Sequence, residues 1–225
     1  MEECISVFDM LKIGVGPSSS HTLGPWRAAE RFLEELRQDF DLNSITRVKV
    51  DLYGSLSLTG KGHATDLAVM LGLSGQDPEY IPVQDIDGII KAIENNHLIQ
   101  LGNEKALPFY ILQDIVFHKE FLPFHANGLT FTAFFENETE YASTFYSIGG
   151  GFVVKEERSN AKKKIAIKCA FPFPINNAAE LLDYTQKENK SISEIVYANE
   201  ISMRPEAEVH SELLRIWHTM LECMY

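Results

Sequence analysis

The sequence predicts an α+β fold, a mixed sheet with helices followed by an all-helical segment. Three observations carry that expectation. Strand-like segments at 45–52, 109–117, 128–135, 141–148 and 152–155 lie among helical stretches, with no regular βαβ repeat. The composition turns polar near 156–168, where Glu156-Glu157-Arg158 and Lys162-Lys163-Lys164 fall. Beyond Phe171-Pro172-Phe173-Pro174 the apolar spacing becomes wholly helical. The expected domains are an α+β domain at 1–155, a linker at 156–174 and a first set of helices at 175–225.

Taken in order, Ile5 to Ile13 reads as a short helix running into Gly14-Val15-Gly16-Pro17-Ser18-Ser19-Ser20-His21-Thr22. Glycine and proline make that run an irregular turn whose backbone N–H groups are free to face a ligand. The stripe Trp26, Ala29, Phe32, Leu33, Leu36 then has helical spacing. Thr22 is the expected N-cap, with Pro25 at the third helical position, where a missing N–H costs nothing. Ile45 to Leu52 alternates as a strand. A second glycine-rich turn, Thr59 to Asp66, leads into an apolar helix through Leu71, closed by Gly72 and Gly75. A further helix is expected over Asp87 to Asn95. The lysine run reads as a solvated linker or exposed hairpin. Helices follow at 178–188 and 193–203, with Ser191 or Ser193 as cap, and a last one opens at Pro205-Glu206. The final stripe (Val209, Leu213, Ile216, Trp217, Met220, Leu221) runs to the last residue uncapped, and about fifty helical residues are too few for a core of their own. The expectation is the amino-terminal part of a longer protein.

Composition narrows the function classes. The 225 residues are 45% hydrophobic and 23% charged, with a formal net charge of −12. That charge argues against nucleic acid or an anionic membrane surface as partner. No apolar run approaches the roughly 18 residues of a membrane span. An acidic Met1-Glu2-Glu3 start without a signal-type core points to the cytoplasm. Cys4, Cys169 and Cys223 are far apart and lack metal-ligand spacing, so no zinc or iron–sulfur site is expected within the chain.

The chemistry concentrates in the two glycine-bracketed turns. Ser18, Ser19, Ser20, His21 and Thr22 precede one helix; His63, Thr65 and Asp66 sit at the start of another. Each turn alone also reads as a cap with a surface histidine. Two of them converging on one face would instead form a pocket with two imidazoles and a ring of hydroxyl and amide donors, suited to a small carboxylate or zwitterion. Asn127, in His125-Ala126-Asn127-Gly128, either orients a polar ligand or simply serves a hairpin. Gly149-Gly150-Gly151 suggests close passage of a ligand or another chain. His97, His118, His210 and His218 read as surface or interface residues.

These motifs resemble a known family. Ser6-Val7-Phe8-Asp9, the run from Ile13 to Thr22 with Gly24-Pro25, and Gly54-Ser55-Leu56 leading to Gly60-Lys61-Gly62-His63-Ala64-Thr65-Asp66 look like the β domain of iron–sulfur L-serine dehydratases. So do His125 to Phe131, Tyr146 to Phe152, Phe171-Pro172-Phe173 with Ala179-Glu180-Leu181-Leu182, and Ile195 to Glu200, in the family's order. The resemblance implies an allosteric-substrate-binding-like β domain, followed by the start of a helical catalytic domain. It implies β-elimination of water from L-serine to give pyruvate and ammonia, within amino-acid catabolism and gluconeogenesis. A [4Fe–4S] cluster, held by cysteines of the helical domain of the same polypeptide beyond Tyr225, would act as Lewis acid on the hydroxyl. On this reading His63 is the general base, with His21 as the rival candidate. Ser18, Ser20 and His21 grip substrate, Ser19 and Thr22 lie beside them, and Thr65, Asp66 and Asn127 complete the pocket. A homodimer is expected, and this chain alone is expected to be inactive. The alternative is a non-catalytic allosteric domain that binds an amino acid or anion.

Overall fold

The computed structural model describes residues 5–156 and 171–224, which fall into two compact units, 14–156 and 5–13 together with 171–224. Lys162-Lys163-Lys164, Cys4 and Cys169 lie outside the described residues. Ser6 caps a single turn, α1 (Val7–Met10): its Oγ accepts the Phe8 N–H, and the Asp9 carboxylate reaches back to the Ser6 N–H. The nine-residue helix expected over Ile5 to Ile13 is therefore four residues long.

In the 14–156 unit, a π-helical turn (Ser19–Leu23) runs without a break into α2 (Gly24–Asp39). The cap is Ser18, whose Oγ accepts the His21 N–H, and not Thr22 as expected. Thr22 is already helical and buried, and its hydroxyl is spent elsewhere. The predicted stripe of α2 is fully buried, from Trp26 to Leu36. Next come β1 (Ile45–Leu52), α3 (Gly54–Thr59), a 3-10 turn (Gly60–His63) and α4 (Thr65–Leu73). Helix α4 passes through Gly72, where a side chain would lie 2.7 Å from the Ala29 Cβ and the Trp26 carbonyl. That glycine lets two helices approach closely; Gly75, at φ +75°, supplies the left-handed turn.

Helix α5 (Val83–Asn96) leads to a hairpin, β2 (Leu98–Leu101) and β3 (Lys105–Pro108), which the sequence pattern did not mark. The expected strand 109–117 divides into a helical turn, α6 (Ile111–Asp114), and a short β4 (Ile115–Phe117). Asp114 causes the division: buried, it accepts the Tyr110 N–H at 2.6 Å and pairs with Arg47 at 2.6 Å. β5 (Gly128–Phe135), β6 (Glu140–Gly149) and β7 (Phe152–Lys155) follow the pattern closely. The sheet order is β4-β1-β5-β6-β7, with β4 parallel to β1 and the other pairings antiparallel. One face (Val48, Val50, Leu52, Leu129, Phe131, Phe145) joins α2 in the core. Each such side chain contributes about 1.5–3 kcal/mol on burial. Gly149, Gly150 and Gly151 all have positive φ, so the turn between β6 and β7 itself accounts for the triplet.

In the other unit, α7 (Ala178–Glu188) and α8 (Ile192–Ile201) carry side-chain caps from Asn177 and Ser191. Helix α9 (Glu206–Met224) begins where Pro205-Glu206 predicted. Two buried neighbours on α8 tie the unit together. Asn199 exchanges two hydrogen bonds with the Phe173 backbone, at 2.9 and 2.8 Å. Glu200 accepts from the Ser6 hydroxyl and the Val7 N–H, both at 2.7 Å, and from Arg204 at 2.9 Å. Among the described residues no helix is long and apolar enough to cross a membrane.

Candidate active site

The two glycine-bracketed turns meet. The rings of His21 and His63 lie with centroids 5.0 Å apart, tilted by 39°. The local sequence explains why they are held there. The Thr22 hydroxyl donates to the His63 carbonyl at 2.7 Å, and the Thr65 hydroxyl donates to the His21 carbonyl at 2.6 Å. Each histidine is thus fixed by a threonine of the opposite turn. Both threonines are buried, so each bond is formed away from competing water.

The two rings are hydrogen-bonded differently. His21 has both nitrogens engaged: Nδ1 lies 2.9 Å from the Ser20 Oγ, and Nε2 lies 2.9 Å from the Ser55 Oγ. Burial lowers the His21 pKa below its ordinary value, and a positive charge on His63 would lower it further. Nδ1 of His63 lies 3.0 Å from the Thr59 carbonyl. A carbonyl only accepts, so that nitrogen carries a proton, and in the neutral ring the lone pair is on Nε2.

The other predicted residues surround this pair. Ser18 accepts the His21 N–H and lies 3.4 Å from the Ser20 Oγ. Ser19 is exposed, and its carbonyl accepts the Gly24 N–H. The Asp66 Oδ1 accepts the Leu67 N–H at 3.0 Å, close to the start of α4. Asn127 is buried and donates its side-chain amide to the Ser147 carbonyl at 3.1 Å. His125 Nδ1 accepts the Asn127 N–H, which shapes the turn before β5. His118 lies instead against the buried Asp51, at 2.6 Å, with the Lys49 ammonium at 2.7 Å from the same oxygen.

Two serines that lie within the family motifs but to which the sequence assigns no role, Ser147 and Ser55, complete the arrangement. Ser147, fully buried on β6, donates to the Ser20 carbonyl at 2.7 Å. It fits because residue 24 is glycine, where a Cβ would fall 1.9 Å from the Ser147 Oγ. Ser55 reaches His21 because Gly54, at the start of α3, takes a left-handed conformation, φ +53°. A Cβ at Gly54 would meet the Ala126 carbonyl at 2.3 Å. For Ser55 the sequence signal is the neighbouring Gly54; for Ser147 the glycine that makes room, Gly24, is adjacent only in the fold.

Among the described residues no group of three or more His, Cys, Asp or Glu could hold a metal ion. The site therefore offers hydroxyls, amides and imidazoles: groups that bind a small polar molecule and move a proton.

Comparison with known proteins agrees with that chemistry. The family model "Serine dehydratase beta chain" matches residues 6–158. An L-serine dehydratase of Haemophilus influenzae is 39% identical over 222 residues, 98% of this chain and 48% of that protein. L-serine dehydratase 1 of Escherichia coli is 40% identical over 221 residues, 98% of this chain and 48% of its own length. An L-serine dehydratase of Streptomyces coelicolor is 40% identical over 222 residues, 98% of this chain and 49% of its own. The chain spans about half the length of these curated relatives. The match over most of its length makes this chain a member of the serine dehydratase beta-chain family.

Proposed function

We propose that this chain forms part of an L-serine dehydratase, a lyase that eliminates water from L-serine, and that Nε2 of His63 takes the Cα proton. The observation that carries the reading is the pairing of His63 with His21. One imidazole has its Nδ1 proton directed at a carbonyl and its Nε2 lone pair without a hydrogen-bond partner among the described residues. The other has both nitrogens engaged by hydroxyls. A neutral imidazole with an available lone pair suits proton abstraction, and such a base contributes about 10²–10⁴-fold to rate.

The remaining groups bind and orient. The Ser18 and Ser20 hydroxyls face the substrate carboxylate, and Ser19 lies at the rim. Thr22 and Thr65 act by fixing the two histidine carbonyls, and Asn127 acts through Ser147 on Ser20. Asp66 at the start of α4 lies on the side of the substrate ammonium. With the Cα proton taken by His63 and the β-hydroxyl leaving as water after protonation, aminoacrylate remains, which tautomerises and hydrolyses to pyruvate and ammonia.

The resemblance of the chain to iron–sulfur dehydratases implies a [4Fe–4S] cluster. The described residues do not fit that group: they offer no ligand set, and their free cysteine, Cys223, is exposed. The reading places the cluster ligands outside this chain, in a further helical domain. A cytoplasmic homodimer belongs to the same reading. The test is release of pyruvate and ammonia from L-serine by the complete enzyme carrying this chain. Turnover of L-serine supports the reading; binding of L-serine without any turnover overturns it.

A further inference from the structure

Ser55 lies at the first turn of α3, which runs directly into the turn that carries His63 and is remote in sequence from His21. Its backbone is fixed on two sides: its N–H donates to the Ala126 carbonyl at 2.8 Å, and its carbonyl accepts the Thr59 hydroxyl at 2.9 Å. Its Oγ lies 2.9 Å from Nε2 of His21, while the Ser20 Oγ lies 2.9 Å from Nδ1 of the same ring. A neutral imidazole has one N–H and one lone pair, and a hydroxyl can meet either. Two hydroxyls, one at each nitrogen, therefore satisfy the ring completely without a charge.

We infer that Ser55 is a positioning residue for the dehydration: its hydroxyl holds Nε2 of His21, keeps that ring in one orientation, and so leaves proton abstraction to His63. The inference rests on the dehydratase reading for its kinetic consequence, but not for its structural one. Without the Ser55 hydroxyl, Nε2 of His21 loses its partner about one ring-width from His63. The ring can then rotate about its Cβ–Cγ bond, and the pocket holds two competing proton acceptors. Ser55 also shares its helical turn with the residue that orients the base, because Thr59 presents the carbonyl to Nδ1 of His63. One five-residue segment, Ser55 to Thr59, thus sets the orientation of both imidazoles.

The experiment compares Ser55→Ala and Ser55→Thr in the complete enzyme, with ¹⁵N-labelled histidine. Ser55 is half-buried, and its backbone bonds to Ala126 and Thr59 do not involve the hydroxyl that Ser55→Ala removes. The wild type should show His21 nitrogens of a single tautomer, and Ser55→Thr should preserve them. In Ser55→Ala the two His21 nitrogens should move towards averaged values. Its kcat on L-serine should fall about ten- to a hundredfold with KM little changed, because orientation is lost and binding is not. Restoration by threonine separates the hydroxyl from mere occupancy of the site. Ser55→Ala with unchanged His21 nitrogens, or with unchanged kcat in an active enzyme, overturns the inference. A wild type that does not turn over L-serine overturns the dehydratase reading instead, and the nitrogen signals alone then decide the role of Ser55.

Discussion

Replacing Gly24 by alanine pits helix propensity against packing at the point where α2 meets β6. Gly24 has ordinary helical backbone angles, φ −60° and ψ −53°, so alanine there should gain about 1 kcal/mol on propensity alone. The structure predicts the opposite sign. The new methyl would lie 1.9 Å from the Ser147 Oγ and 2.7 Å from its Cβ. Relief requires a movement of more than an ångström by a fully buried side chain, or by the helix. Overpacking of this kind costs about 1–3 kcal/mol. Displacing the Ser147 hydroxyl from the Ser20 carbonyl costs about 1 kcal/mol more. The net expectation is a loss of about 1–3 kcal/mol, or about 2–12 °C in Tm for a domain of this size. Urea and thermal unfolding followed by circular dichroism would measure it. A Gly24→Ala/Ser147→Gly double variant should recover part of the loss, giving a coupling energy opposite in sign to the clash. A Gly24→Ala protein as stable as the wild type, or more so, would refute the reasoning.

Further predictions follow from other buried groups. Thr65→Val keeps shape but removes the donor to the His21 carbonyl; unfolding should show a loss of about 1–3 kcal/mol, and L-serine turnover should fall with it. Burial raises the Glu30 carboxyl to about 7 despite the adjacent Arg27 guanidinium, so the folded state holds a proton that the unfolded state releases near 4.5. Stability should therefore fall as pH rises through that window, and Glu30→Gln should stabilise the protein above pH 7 but not below 4.5. Burial depresses the His21 pKa, so its contribution has the reverse sign: stability is lost as pH falls below 6.5, and His21→Gln should flatten that part of the wild-type curve. Glu200→Ala leaves Arg204, the Ser6 hydroxyl and the Val7 N–H without their shared acceptor; thermal unfolding should report a loss of about 3 kcal/mol or more.

Much of this molecule was legible in its sequence because local pattern and tertiary packing agree there. The α2 stripe, β1 and β5 each alternate or repeat in a period that matches their burial. The misreadings occur where a single buried polar contact or a close approach overrides local preference. Asp114 bends an aromatic-rich strand into a helical turn. Gly72 has the composition of a helix end but serves a helix–helix contact. Thr22 looks like a cap and is used as a bolt across the two histidine turns. The convergence of those turns was foreseen from their shared composition. The serines that hold His21 and Ser20 in place were not, since Ser55 and Ser147 are remote in sequence and ordinary in local pattern. Only the glycines beside them, Gly54 and Gly24, hint that space is short.

The central claim is that one histidine of the pair takes the proton while the other is held still. It is tested most directly by comparing His63→Gln with His21→Gln in pyruvate formation from L-serine at saturating substrate. The account predicts that His63→Gln loses about 10²–10⁴-fold in kcat, as removal of a general base requires, and that His21→Gln loses markedly less. A His63→Gln enzyme that keeps most of its kcat while His21→Gln does not would transfer the base to His21 and contradict the account.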